Sequence, residues 1–378
     1  MIKRLESIIM IFVGFVGVLD TSFMIPIISI YAKSLGASDF EAGFIAGFYS
    51  IVAIPSSIIA GILVDRFGRK RTLFIGLLWD AISVFLYSLV LNSFQLLILR
   101  GFHAIGGSLI YPAFIAKARD ISSDRIGYNM GKFLAPIALA VSLGSGISGV
   151  ATFILGYKIS FVLLSIIILL AGIFTLFLPK EQEKINWRGL KGIFEGFREA
   201  GFSTALGLYL ILVLYIALGI IIGGLGISLY DVVGDDRQAR LIVGIGVSLS
   251  SLASVFLFLI NGIVFDIIGG RVVLLYSVII STIGFFTAII LTKPITIIIS
   301  LLTFGFSLSG FLLLSTILVT NVPMNVRGTT IGLQQVLNIL GVAIGAPIGG
   351  YVASFGIDMV LLTLIIFLLL GLLSLIKL

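Results

Sequence analysis

Long apolar runs, separated by short polar segments, dominate the chain. Most of these runs reach about 20 residues, the length that a helix needs to cross a hydrocarbon core of about 30 Å. Lipid offers the backbone no hydrogen-bond partner, and the runs are continuous rather than alternating, which favours helices over a transmembrane barrel. The pattern predicts an all-α integral membrane protein with twelve transmembrane helices, at residues 8–31, 41–64, 71–91, 94–116, 128–152, 158–178, 203–230, 239–265, 271–291, 294–318, 328–353 and 357–377.

The amino-acid composition excludes several kinds of functional site. Of 378 residues, 59% are hydrophobic and 11% are charged, whereas soluble domains carry about 25% charged residues. The absence of cysteine excludes disulfide bonds and thiolate metal sites, and a single histidine excludes a metal site built from several histidines. We find no nucleophile with its base and no phosphate-binding loop. We therefore predict no enzymatic activity, no cofactor and no metal.

The net charge of +7 reflects orientation in the membrane. If both termini are cytoplasmic, most of the 24 lysines and arginines lie in the inner loops, which is the positive-inside bias of membrane proteins. This distribution predicts a multi-pass protein of the cell membrane with both termini in the cytoplasm. We find no exposed stripe of basic residues in the sequence, so we do not predict nucleic acid as a partner.

The chain contains an internal repeat. The segment GILVDRFGRKRTL at 61–73 recurs as NGIVFDIIGGRVVLL at 261–275, and the matching residues are a constant 201 positions apart. Such self-similarity indicates a duplication of six spans. We predict one six-helix bundle at 1–178 and a second at 202–378. The charged segment 179–201 between them has apolar residues at helical spacing, which indicates an interfacial amphipathic helix; a linker without regular structure is the alternative.

These features resemble the major facilitator superfamily over essentially the whole chain. The resemblance rests on the six-plus-six arrangement, the charged central segment, and G-x-L-x-D-R-x-G-R-K-R after span 2 with a weaker copy after span 8. It implies two bundles around a central cavity that rock to expose one substrate site to each side in turn. The expected partners are a small-molecule substrate and the lipid bilayer, and we expect a monomer.

The repeated segment is a candidate conformational latch. Gly61 allows a neighbouring backbone to approach, and Asp65 can face a helix N-terminus, where a carboxylate is stabilised by about 0.3–1 kcal/mol. The resemblance implies that this N-terminus starts span 11, near Gly328, and that the contact forms in the outward-open state. The alternative is a loop that only obeys the charge bias. The predicted latch residues are Gly61, Asp65, Arg66, Gly68 and Arg69, with Asp266 and Arg271 in the weaker second copy.

Four charged or titratable residues lie within predicted spans: Asp20, Asp80, Arg100 and His103. Ionised groups there cost about 2.5–3.5 kcal/mol each, so partners are expected. Asp80 and His103 lie at equal depth on either side of the turn near residue 92, which favours a fixed pair. Asp20 resembles the first-span aspartate of drug:proton antiporters and is predicted to couple protons to transport beside Arg100. A permanent Asp20–Arg100 pair is the structural alternative.

The second half contributes weaker candidates for a cavity wall: Tyr209, Tyr215, Phe304, Gln335 and Asn338. Spans 7 and 10 carry no charge, which favours hydrophobic or amphiphilic cargo over a sugar, although the two amides leave polar cargo open. The glycine pattern GVAIGAPIGG at 341–350 resembles the span-5 motif of antiporters of this superfamily, although it lies in span 11 with its proline shifted by one, and this resemblance favours export. The sequence thus predicts a proton-coupled exporter by alternating access. The alternatives are an importer or facilitator for a metabolite or organic anion held by Arg100, and a non-transporting membrane sensor or lipid-handling protein.

Overall fold

The protein is all-α. The computed structural model describes residues 2–122, 124–179, 189–234 and 236–376, and in these ranges no strand occurs. A π-helical turn at Ile221–Leu225 and a 3₁₀ turn at Leu372–Ile376 accompany the α-helices. The helices are α1 Ile2–Met24, α2 Ile28–Ser34, α3 Asp39–Phe67, α4 Arg69–Tyr87, α5 Ser93–Asp120, α6 Ile126–Thr175, α7 Gly189–Ile220, α8 Gly226–Val233, α9 Asp236–Ile268, α10 Gly270–Leu291, α11 Pro294–Thr320, α12 Arg327–Ala353 and α13 Ile357–Gly371.

Eleven helical segments in the described part are long and apolar enough to cross a membrane. Two of them lie in α6, which bends at Gly156, where φ is 74°. The predicted span at 71–91 corresponds to α4, which is not among the eleven because its first turn carries three basic residues and its middle carries Asp80. With 19 residues, α4 is about 28 Å long, close to the thickness of the hydrocarbon core.

The first predicted span, 8–31, is not one helix. It divides into α1, which ends at Met24, and α2, which begins at Ile28. Pro26 lies in the break, where its missing N–H removes a helical hydrogen bond. Asp20 therefore lies in the last turn of α1 rather than in the middle of a continuous span.

Two glycines of the repeat form equivalent turns. Gly68 joins α3 to α4 with φ of 92°, and Gly269 joins α9 to α10 with φ of 103°. Residues with a Cβ rarely adopt this left-handed conformation. The two copies of the repeat, 201 residues apart, thus share this glycine turn between their helices.

The helices form two compact units. The first comprises Met1–Ile121, Pro136–Glu199 and Val322–Val336, and the second comprises Ser122–Ala135, Ala200–Asn321 and Leu337–Leu378. The start of α12 thus belongs to the first unit, and the start of α6 belongs to the second. Residues 180–188 of the predicted amphipathic linker, and the side chains of 189–200, lie outside the described part. The backbone of 189–200 forms the first part of α7, which bends at Gly201.

Close packing within the first unit brings α1 against α5. A Cβ at Gly14 would lie 2.5 Å from the ring of Phe114, and a Cβ at Gly17 would lie 2.7 Å from the side chain of Ile110. Small residues at such positions let membrane helices approach closely. At the other end of α5, the side chain of Asn92 accepts a hydrogen bond from the backbone of Gln95 and caps the helix. The close packing of α1 on α5 places Asp20 beside α5.

Candidate functional site

Asp20, Asp80 and His103 meet inside the first unit and are called the Asp–His–Asp cluster here. His103 Nε2 lies 3.1 Å from Asp20 Oδ2 and 2.5 Å from Asp80 Oδ1. All three side chains are buried, with at most 3% of any of them exposed. The predicted contact between Asp80 and His103 is present, and its role as a fixed pair stays a prediction. Three helices, α1, α4 and α5, each supply one member.

The other side of the imidazole ring is also engaged. Its Nδ1 lies 3.1 Å from the hydroxyl of Tyr87, and the ring of Tyr49 packs edge-on against it at 5.2 Å between centroids. Oδ2 of Asp80 is buried and has no hydrogen-bond partner among the described residues. Sequence reasoning missed both tyrosines, because aromatic residues in apolar spans carry no distinguishing pattern.

Among the described residues, the Asp–His–Asp cluster is the group whose donor atoms lie close enough together to hold a metal ion. One ligand atom from each of its members lies within 4.8 Å of the others. A single histidine excludes a site built from several histidines, but the prediction of no metal did not consider one histidine with two aspartates. The contribution of two aspartates from different helices was not anticipated, because only the packing of α1 on α5 brings Asp20 to His103.

The permanent Asp20–Arg100 pair, which was the structural alternative, does not form in the described part of the chain. The guanidinium of Arg100 lies over the ring of Tyr49, 4.8 Å from its centroid, and donates a 3.2 Å hydrogen bond to the carbonyl oxygen of Ala46. Its NH1 group contacts the sulfur of Met24 at 3.7 Å, and Nε has no partner in the described ranges. The long side chain turns towards α3, so the shorter His103, one turn further along α5, takes the Asp20 carboxylate.

Asp65 binds the N-terminus of α12. Its carboxylate accepts 2.7 Å hydrogen bonds from the backbone N–H groups of Gly328 and Thr329 and from the Thr329 hydroxyl. Asp65 is fully buried. A Cβ at Gly61 would lie 2.5 Å from the carbonyl oxygen of Gly328, so only glycine permits this approach. The contact between span 2 and the start of span 11 is present in the structure.

An ion-pair network surrounds this contact. Arg69 is fully buried, and its Nε lies 2.9 Å from Asp120 Oδ2. Arg69 also donates a 2.6 Å hydrogen bond to the carbonyl oxygen of Met324, and the other oxygen of Asp120 pairs with Arg327. Arg66, by contrast, is exposed. Asp120 was not predicted, because a lone acidic residue at the end of a span carries no signal until its partners are known.

The second copy of the motif makes a similar but smaller contact in the second unit. Asp266 accepts hydrogen bonds of 2.7 and 2.9 Å from the backbone N–H groups of Gly127 and Tyr128, at the start of α6. Asp266 is half-buried and accepts two hydrogen bonds here, whereas Asp65 accepts three. Arg271, included among the latch residues, is exposed and forms no ion pair in the described part of the chain.

Three of the candidate cavity-wall residues have packing contacts. The hydroxyl of Tyr209 donates a 2.7 Å hydrogen bond to the carbonyl oxygen of Leu370, and Tyr215 packs against a glycine of α12. Phe304 is fully buried, and its ring lies 6.1 Å from that of Phe285. Phe304 is thus part of the core of the second unit, whereas Tyr209 and Tyr215 are half-buried and make packing contacts at its edge.

The two amides on α12 have unused acceptors. Both Gln335 and Asn338 are half-buried, and the side-chain oxygen of each is buried without a hydrogen-bond partner among the described residues. Buried polar atoms usually find partners, so such an oxygen is a candidate for contact with substrate or water.

Comparison with known proteins identifies the family. The profile of the Major Facilitator Superfamily matches residues 10–236. An MFS-type transporter of Methanocaldococcus jannaschii is 25% identical over 353 residues, covering 90% of this chain and 89% of the relative. Multidrug resistance protein 2 of Bacillus subtilis is 26% identical over 92% of this chain and 88% of its own length.

Two shorter or more distant similarities agree with this assignment. The quinolone resistance protein NorA of Staphylococcus aureus is 28% identical over 140 residues, which cover 37% of this chain and 35% of NorA. The crystal structure of the human organic anion transporter MFSD10 superposes with a TM-score of 0.78 over 99% of both chains, at 13% identity, and shows the fold. The chain therefore belongs to the Major Facilitator Superfamily, whose members are membrane transporters rather than enzymes.

Proposed function

We propose that this transporter exports hydrophobic or amphiphilic small molecules in exchange for protons. The observation that carries the proposal is the buried Asp–His–Asp cluster, since titratable groups deep in a membrane protein are costly and typically serve ion or substrate movement. The name of the relative from Bacillus subtilis, Multidrug resistance protein 2, supports drug-like cargo.

Alternating access would proceed by movement of two bundles, 1–178 and 202–378, in the cell membrane, with both termini cytoplasmic and a monomer as the working unit. The Asp65 and Asp266 contacts would be the cytoplasmic latches of the outward-open state. Each joins a carboxylate to backbone N–H groups at a helix N-terminus, a geometry that can re-form in every cycle without side-chain rearrangement.

The cluster is suited to carry a proton because its three members share few hydrogen-bond donors. One imidazole nitrogen faces two carboxylate oxygens, so a change in water access changes which groups can remain ionised. The break between α1 and α2 lies one turn from Asp20, which offers a place where a small movement would admit water to the carboxylate.

Proteoliposomes with an imposed pH gradient test this proposal. Internal pH is followed while lipophilic cations, sugars and organic acids are added in turn, and wild-type protein is expected to move protons with one cargo class. Asp20→Asn should abolish the proton movement. The matched control is Glu41→Gln at the exposed start of α3, where the hydrogen bonds from Ser38 hold the pKa of the Glu41 carboxyl below its usual value. Cargo flux that is the same with and without the gradient, and the same in Asp20→Asn as in wild type, would contradict proton coupling.

A second candidate function is a facilitator or importer for an organic anion. Arg100 favours it, because this buried guanidinium has no carboxylate partner in the described part of the chain, and the superposable human protein is named as an organic anion transporter. The same vesicles distinguish the two: flux of an anionic dye that is independent of pH, retained in Arg100→Lys and lost in Arg100→Gln, would favour the anion over drug export.

A further inference from the structure

We infer that Asp20, Asp80 and His103 form a binding site for a divalent transition-metal ion such as Zn²⁺. The inference starts from the convergence of three donor atoms. Asp20 Oδ2 and Asp80 Oδ1 both point at His103 Nε2, at 3.1 and 2.5 Å, and the three residues come from three different helices. Two carboxylates and one imidazole form a donor set that suits Zn²⁺ and similar ions.

The charge of the cluster is the second reason. Two buried aspartates face one imidazole, and neither aspartate forms an ion pair with a lysine or arginine in the described ranges. Even a protonated His103 would leave one negative charge uncompensated among apolar helices, where such a charge is costly. A divalent cation bound to a neutral imidazole would make the cluster electrically neutral.

An unpartnered oxygen points to the same conclusion. Oδ2 of Asp80 is buried in a fully buried side chain and has no hydrogen-bond partner among the described residues. Buried polar atoms usually have a partner, so an oxygen that the described residues leave unpartnered points to a water or an ion at the site. A second carboxylate oxygen also gives Asp80 the choice of binding a cation through one oxygen or two.

The environment of the imidazole fits a metal ligand. A histidine that binds a metal through one ring nitrogen usually donates a hydrogen bond from the other, which fixes the tautomer and the ring orientation. Here Nδ1 lies 3.1 Å from the hydroxyl of Tyr87, which leaves Nε2 to face the two carboxylates. Ligand atoms in a tetrahedral zinc site are roughly 3.3 Å apart, so the two carboxylate–imidazole separations of 3.1 and 2.5 Å require shifts of less than about 1 Å.

The composition of the chain allows zinc binding to be assigned to this one site. His103 is the only histidine and there is no cysteine, so tag-free protein contains no other nitrogen or sulfur side-chain ligand of the usual kind. Equilibrium dialysis of the full-length protein in detergent should find one Zn²⁺ per chain. Co²⁺ should give the intense visible absorption of four- or five-coordinate cobalt, whereas Mg²⁺, which requires six oxygen ligands, should not compete.

Four variants complete the test. His103→Gln and Asp80→Asn should lose the bound zinc, Tyr87→Phe should weaken binding by about 10- to 100-fold while all three ligands remain, and the exposed control Glu41→Gln should bind as wild type. Each variant is first compared by size-exclusion chromatography and thermal unfolding, and Tyr87→Phe keeps the test decisive if a ligand variant misfolds. Wild-type protein without bound zinc, or undiminished binding in folded His103→Gln, would overturn the inference. No gradient or cargo is involved, so failure here is separate from failure of proton coupling.

Discussion

Replacing Asp65 by asparagine should shift the transporter towards the state in which the end of α3 has separated from α12. The carboxylate accepts three 2.7 Å hydrogen bonds from Gly328 and Thr329, and the amide retains one acceptor oxygen while turning an NH₂ group towards the remaining donors. A hydrogen bond to a charged group contributes about 1.5–3 kcal/mol. Loss of two therefore costs at least about 3 kcal/mol, which is about 100-fold in a two-state ratio.

The absence of cysteine provides the assay. Ser57 on α3 is fully buried, and its carbonyl oxygen would lie 2.4 Å from a Cβ placed at Gly332, so α12 covers this position. In a Ser57→Cys background, the rate of maleimide labelling reports the fraction of molecules in which α12 has moved away. Labelling is measured in membranes at a limiting reagent concentration, where closing is faster than modification and the rate is proportional to the open fraction.

Asp65→Asn should raise the labelling rate by tenfold or more, and Thr329→Val, which removes one of the three hydrogen bonds, should give an intermediate rate. The exposed neighbour Arg66 supplies the control, since Arg66→Gln removes a charge from the same turn of α3 while the donors to Asp65 are Gly328 and Thr329. An unchanged rate in Asp65→Asn, with normal expression and folding, would refute the latch.

Three further outcomes follow from the same contacts. Asp266→Asn should cost about half as much as Asp65→Asn, because it affects two hydrogen bonds at a half-buried carboxylate; a parallel labelling assay on α9 checks this. Gly61→Ala should lower the thermal unfolding temperature through a backbone clash costing about 1–3 kcal/mol, whereas Gly47→Ala on the same helix, with open space around it, should not; equal effects would contradict the close approach. Asp120→Asn should destabilise the protein by about 3 kcal/mol, because two partly or fully buried guanidiniums lose their shared carboxylate, and a thermal melt unchanged from wild type would exclude this role.

Much of the architecture could be predicted because membrane burial is local. Continuous apolar runs give helices, since each helix satisfies its own backbone in lipid, and this holds for α9 to α13 with boundaries near those expected. The first span is the exception. Its hydrophobicity continues through residue 31, but Pro26 and the packing of α2 end the helix at Met24.

Some contacts of the candidate site could likewise be predicted from the sequence, and others could not. Asp80 and His103 flank a short turn between adjacent helices, so helical geometry alone sets their depth, and their pair could be foreseen. The partner of Asp20 could not, because a first-span residue can face several helices, and the choice of His103 over Arg100 depends on where the long guanidinium turns.

By itself, the sequence determined the helical membrane fold, the duplication, and the glycine–aspartate spacing that allows Asp65 to meet a helix N-terminus. These depend on chain-local hydrophobicity and on backbone geometry, which repeat wherever the motif repeats. Only the tertiary structure decided that α1, α4 and α5 converge on one imidazole, and that Asp120 joins two arginines. Those meetings depend on which helix faces pack together, and that depends on side-chain shape across helices distant in sequence.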